Sequence, residues 1–112
     1  MSAVLLERDF QGQVTELAEQ LGWAWVHFRP ALTKHGWRTP ASGSLGEGWV
    51  DLVLIHQRRR QHAFVELKRD AKAKPSLAQA AILTALAAVW DHVYVWRPDD
   101  FQGIGDWLAG RR

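Results

Sequence analysis

Asp51, Glu66 and Lys68 are the residues of this chain whose types and spacing could do chemistry. Asp51 opens the apolar run VDLVLIH (50–56), and Glu66 and Lys68 sit inside HAFVELK (62–68). Burying a carboxylate or an ammonium is costly unless it is paired or bound to a metal. Side chains alternate along a strand, so Glu66 and Lys68 share one face while Val65 and Leu67 take the other. With a turn near residues 57–61, the two runs form a hairpin whose open end carries all three ionisable groups. Two carboxylates with open positions suit Mg²⁺ or Mn²⁺, hard cations that take oxygen ligands and keep several waters. A lysine just beyond the second carboxylate would position or help deprotonate an attacking water, or stabilise charge on a phosphate. The same residues would also serve as a buried Asp–Lys or Glu–Lys ion pair, or as strand-edge charges that discourage aggregation. Glu-x-Lys alone arises often by chance. The matching Asp on the partner strand and the basic turn between the strands favour the metal site.

The surrounding charges point the same way. Between Arg29 and Lys74 stand ten Lys/Arg against four Asp/Glu, while the remainder has four against eight. A basic middle segment suits an anionic partner, nucleic acid being the commonest, although a solvated face has the same composition. Arg58, Arg59 and Arg60 fill the hairpin turn, where they would grip phosphates or simply confer solubility. Arg69, Lys72 and Lys74 follow the lysine and lead into a helix N-terminus, which favours anions, and are the stronger DNA contacts. His27 and His35 flank a long Gly/Pro-rich segment; either would be a third metal ligand or a hydrogen-bonded structural histidine. Trp37 and Trp49 would stack on unpaired bases, or pack within that segment or across a dimer interface.

These residues need a scaffold. Phe10, Val14, Leu17 and Leu21 mark an amphipathic helix over about residues 4–21, closed by Gly22. WAWVHF (23–28) reads as a strand ended by Pro30. Residues 30–48 hold four Gly and two Pro without periodicity and read as a long loop. After the hairpin, Ser76-Leu77-Ala78-Gln79 has the capping-box pattern and starts a helix to about Trp90, its buried stripe being Ile82, Leu83, Leu86 and Val89. VYVWR (93–97) is a further strand, and a final helix covers roughly 100–108. The order α-β-loop-β-β-α-β-α predicts one α/β domain around a small mixed sheet, the third and fourth strands being parallel. With 112 residues there is room for one core, and no apolar run approaches membrane-spanning length. Charged residues come too early at the N-terminus for a signal peptide. The absence of Cys removes disulfides and thiolate metal sites and fits a reducing cytoplasm, as in a bacterial or phage-infected cell. Most of the seven Trp are expected in the core or an interface.

Asp51 followed by Glu66-Leu67-Lys68, in this element order, resembles the core of the PD-(D/E)XK nuclease superfamily. ERDFQGQVTELAEQLGW (7–23), HFRPA (27–31), GW-x-TP (36–40), VDLVLI, FVELKRD, the Gln79 helix and VYVWRP (93–98) together resemble its virus-type replication-repair (VRR-Nuc) family. The resemblance implies a restriction-endonuclease-like α-β-β-β-α-β core and a metal-dependent endonuclease acting on branched or flapped DNA. Small stand-alone members of the phage and bacterial type look like dimeric four-way (Holliday) junction resolvases. Asp51 and Glu66 would be ligands for Mg²⁺ or Mn²⁺, and Lys68 the catalytic lysine. Glu7 matches an acidic position that assists the metal, often through water, and Gln79 a polar residue on the helix after the catalytic strand. The family commonly has Pro before the Asp, where this chain has Val50. A homodimer is expected, since symmetric cutting of two strands needs two sites; WAWVHF and Trp107 are the candidate interface segments. The competing expectation is a DNA-binding subunit of a larger repair or restriction system that does not cut.

Overall fold

The computed structural model describes residues 7–28, 31–34, 36–38 and 42–111. Helix α1 spans Glu7–Gln20; the expected start at residue 4 lies outside the described residues. Gly22 takes φ +92°. Its N–H donates to the Glu19 carbonyl at 3.1 Å, and the Trp23 N–H donates to Ala18 at 2.9 Å. This pair of bonds is the Schellman closure, which requires the left-handed conformation that glycine adopts without strain. Phe10, Gln11, Val14, Thr15 and Ala18 are buried, whereas Leu17 and Leu21 are only partly so. The stripe is thus turned toward the small Ala18, away from the line through Leu17 and Leu21. Gln11 and Thr15, drawn inside, satisfy one another through bonds of 3.3 and 3.0 Å.

The remaining elements are β1 (Ala24–His27), β2 (Ala31–Thr33), β3 (Gly36–Arg38), β4 (Leu52–His56), β5 (Gln61–Leu67), α2 (Leu77–Ala87), β6 (Val93–Trp96), a 3₁₀ turn (Pro98–Asp100) and α3 (Phe101–Leu108). A mixed sheet runs in the order β1-β4-β5-β6. Its first two pairings are antiparallel and β5–β6 is parallel, as expected for strands joined through a helix. The reading of residues 30–48 as structureless is corrected. β2 and β3 pair antiparallel within it, from Ala31 opposite Arg38 to Thr33 opposite Gly36. Strands of three residues are too short to show a period, and the flanking Gly and Pro hide them.

Alternation along the strands divides the core. Leu52, Leu54, Ala63, Val65, Leu67 and Trp96 meet Phe10, Val14 and Ala18 of α1 and Ile104 and Leu108 of α3. On the opposite face, Val53, Phe64 and Val93 meet Ile82 and Leu86 of α2. Val50, where the resembling family commonly has Pro, is 1% exposed and packs into this second cluster. Val89 does not belong to the stripe: α2 ends at Ala87, and Val89 is 70% exposed in the turn before β6.

The β4–β5 turn is tied to the far side of the fold. The Arg59 N–H donates to His56 Nδ1 at 3.2 Å, so the ring proton sits on Nε2 and is directed at the Leu21 carbonyl, 3.2 Å away. The Arg59 guanidinium lies 5.1 Å from the Trp23 ring centre and donates to the Leu108 carbonyl, where a cation suits a helix C-terminus.

Gly48 fixes where α2 begins. It has φ +82°, and a Cβ there would lie 2.5 Å from the Ala78 carbonyl carbon and 2.8 Å from the Gln79 nitrogen. Gly43 has φ +102° but open space around it. Gly43→Ala therefore meets only the left-handed strain of roughly 1–2 kcal/mol, whereas Gly48→Ala must also displace backbone, for a total of roughly 3 kcal/mol or more. Urea unfolding of the two variants measures the difference; equal losses would show that the close approach is not rigid.

Candidate active site

The antiparallel register of β4 and β5 pairs Leu52 with Val65. One step further places Asp51 across from Glu66, on the sheet face that α2 covers. Asp51 is held at both ends: its carbonyl accepts from the Phe28 N–H (2.8 Å) and its Oδ2 from the Leu67 N–H (2.8 Å). Glu66 is 1% exposed. Its Oε2 accepts from Gln79 Nε2 at 2.6 Å and lies 3.1 Å from Lys68 Nζ. Lys68 Nζ also donates to Gln79 Oε1 at 3.0 Å. A closed triangle of carboxylate, ammonium and amide results.

Gln79 is the hinge of this triangle because it also caps α2. Its Oε1 accepts from the Ser76 N–H (2.8 Å), and its own N–H donates to Ser76 Oγ (3.1 Å). The capping box and the site role thus coexist. The box also settles the amide orientation, since the oxygen must face the Ser76 N–H, leaving Nε2 for Glu66.

Glu66 Oε1 is buried with no donor among the described residues. Burial, together with the nearby charge of Asp51, pushes the Glu66 carboxyl up to about 7. Asp51 is raised by burial too, a rise opposed by the Leu67 N–H and by the charges of Lys68 and His27. Two crowded carboxyls, which share a side-chain hydrogen bond in the metal-free protein, fit a hard divalent cation that brings its own waters. Asp51 and Glu66 are the side chains that would hold it. Among the described residues no group of three or more His, Asp or Glu is placed to hold a metal. His27 lies near enough to Asp51 for its charge to act on that carboxyl.

The other expected residues divide. Glu7 begins α1, and its side chain lies outside the described set, as do His35 and the Trp37 side chain. Trp49 packs edge-on against Phe28 and Phe64, with ring centres 6.1 and 5.9 Å away. Arg58 and Arg60 are exposed on the hairpin turn, while Arg59 is partly buried in the contacts given above. Arg69, Lys72 and Lys74 are exposed on the loop that leaves Lys68. Arg97, which no spacing singles out, lies at the end of β6 with its Nη2 on the Ala73 carbonyl of that loop (2.9 Å). Only the parallel pairing of β6 with β5 brings it there. Among the described residues no helix is long and apolar enough to cross a membrane. Comparison with protein-family models, with characterised proteins and with solved structures finds no match.

Burial of Glu66 makes stability depend on pH. From its ordinary value of 4.5 up to about 7, the folded protein keeps a proton that the unfolded chain releases. Stability of the metal-free protein is therefore greatest below this window and falls as pH rises through it. Denaturant midpoints in EDTA should decline across that range for wild type and much less for Glu66→Gln. Equally flat profiles would mean that Glu66 ionises normally.

Proposed function

We propose that this chain is a Mg²⁺- or Mn²⁺-dependent endodeoxyribonuclease of the PD-(D/E)XK type, similar to VRR-Nuc domains, that hydrolyses phosphodiesters in branched DNA, above all four-way junctions. One observation carries the reading: Glu66, Lys68 and Gln79 bond to one another beneath the start of α2, and the Asp51 carboxyl lies close enough to act on Glu66. The order α1-β1-β4-β5-α2-β6, with the β2–β3 hairpin inserted, supports a restriction-endonuclease-like core. A bound divalent ion lowers the pKa of its water and offsets charge on the scissile phosphate. Lys68, at the rim of the site and 13% exposed, orients the attacking water and stabilises charge that develops on the phosphate. Gln79 holds Lys68 and Glu66 in register, and Arg69, Lys72 and Lys74 contact the flanking backbone.

The test is cleavage of a labelled four-way junction, with linear-duplex and flap controls, in Mg²⁺, Mn²⁺ and EDTA. Cutting should require metal and should fall about 10²- to 10⁴-fold in Lys68→Ala, with a comparable loss in Asp51→Ala and binding retained in both. Mn²⁺ should also raise the melting temperature of wild type but not of Asp51→Asn. Tight binding without cutting in any metal would overturn the enzyme in favour of a binding subunit.

Symmetric cutting calls for a homodimer. Support comes from the β1 edge of the sheet, where Trp25, Val26 and, on β4, Ile55 are 40%, 47% and 50% exposed. Trp107, the other candidate interface residue, is partly buried and packs against Trp23, Tyr94 and Trp96. Light scattering at micromolar concentration should give twice the chain mass; a monomer would remove the dimer from the proposal.

A further inference from the structure

The loop Arg69–Pro75 joins β5 to α2, and three of its seven residues are basic. A connection that served only to span the gap would need no internal order, yet this one is fastened at two points. Asp70 Oδ1 accepts from the backbone N–H groups of Lys72 (2.8 Å) and Ala73 (2.7 Å), which folds the first half into a tight turn. Arg97, from the end of β6, donates Nη2 to the Ala73 carbonyl at 2.9 Å, which fastens the second half to the sheet. Arg97 is itself anchored, its N–H donating to Asp70's counterpart in the next turn, Asp100 Oδ2, at 2.9 Å. Pro75 restricts the exit. Asp70 Oδ1 and Arg97 Nη2 are spent on backbone, Asp70 Oδ2 lies 3.9 Å from Arg69 Nε, and Arg69, Lys72 and Lys74 stay exposed. Arg69 directly follows Lys68, so the loop starts where the proposed chemistry ends.

We infer that Arg69–Pro75 is a preformed phosphate grip for the nucleic-acid strand, and that Asp70 and Arg97 are the positioning residues that hold it in shape. The inference rests on the nucleic-acid reading above. Its physical basis is that charged side chains on an ordered backbone meet phosphates without first losing loop entropy. The sign of the Asp70 effect separates this from simple charge. Asp70→Ala removes a negative charge next to three positive ones, so Coulomb attraction alone predicts tighter DNA binding. The grip predicts the opposite, because the turn is lost. Asp70→Asn removes the same charge but keeps the accepting oxygen.

The experiment is fluorescence anisotropy with a labelled four-way junction in EDTA, where nothing is cut, over a series of salt concentrations. Asp70→Ala should bind roughly 3- to 10-fold more weakly than wild type, and Asp70→Asn at least as tightly as wild type. Arg97→Met should lower the slope of log affinity against log salt by more than the ~0.9 expected for one lost phosphate contact. Tighter binding by Asp70→Ala, or a slope change in Arg97→Met of one contact or less, would overturn the grip while leaving the nuclease reading intact. Failure of wild type itself to bind the junction would overturn both. Circular dichroism of each variant confirms that the comparison is made on folded protein.

Discussion

A carboxyl group with almost no access to water governs this molecule. Glu66 sits on the sheet face beneath α2, where an isolated charge would be very unfavourable. Much of the local structure compensates for it. Lys68 supplies the opposite charge, Gln79 supplies a donor, and Asp51, itself turned toward the Leu67 N–H, crowds the remaining side. The compensation is incomplete, because Oε1 has no donor among the described residues and the carboxyl holds its proton up to about pH 7. A fold selected for stability alone would place an apolar residue there.

The rest of the α2 face follows from keeping Gln79 in place. The helix must begin where the amide can reach Ser76, Glu66 and Lys68 together. Gly48 allows the preceding loop to touch the backbone at Ala78 and Gln79, and Val50, Ile82 and Leu86 fill the space beneath. Helix capping, side-chain orientation and close backbone contact thus meet within a few residues.

How much of this the sequence discloses depends on how local the signal is. The capping box at Ser76, the glycine closure at Gly22 and the alternation that puts Glu66 and Lys68 on one face are short-range rules, and each appears in the structure as expected. The parallel pairing of β5 with β6 followed from the helix between them. What stayed hidden was non-local or very short. The three-residue strands β2 and β3 have no readable period. Val89 fits the periodicity of the buried stripe, which does not reveal that the helix stops at Ala87. Arg59 looked like a surface charge, since its contacts with Trp23 and Leu108 lie 36 and 49 positions away in the chain. Arg97 reaches the loop after Lys68 only through sheet pairing.

The two faces of the sheet differ in what they hold. The side against α1 and α3 is a largely apolar layer from Phe10 to Leu108, its buried polar groups, Gln11, Thr15, His56 and the Trp23 indole, each satisfied by a hydrogen bond. Every ionisable group of the proposed chemistry lies on the other side. Asp51, Glu66 and Lys68 have no side chain in the larger core, which they meet only where Asp51 holds the Leu67 N–H. A lineage that lost the proposed chemistry would still have this larger apolar layer to fold around.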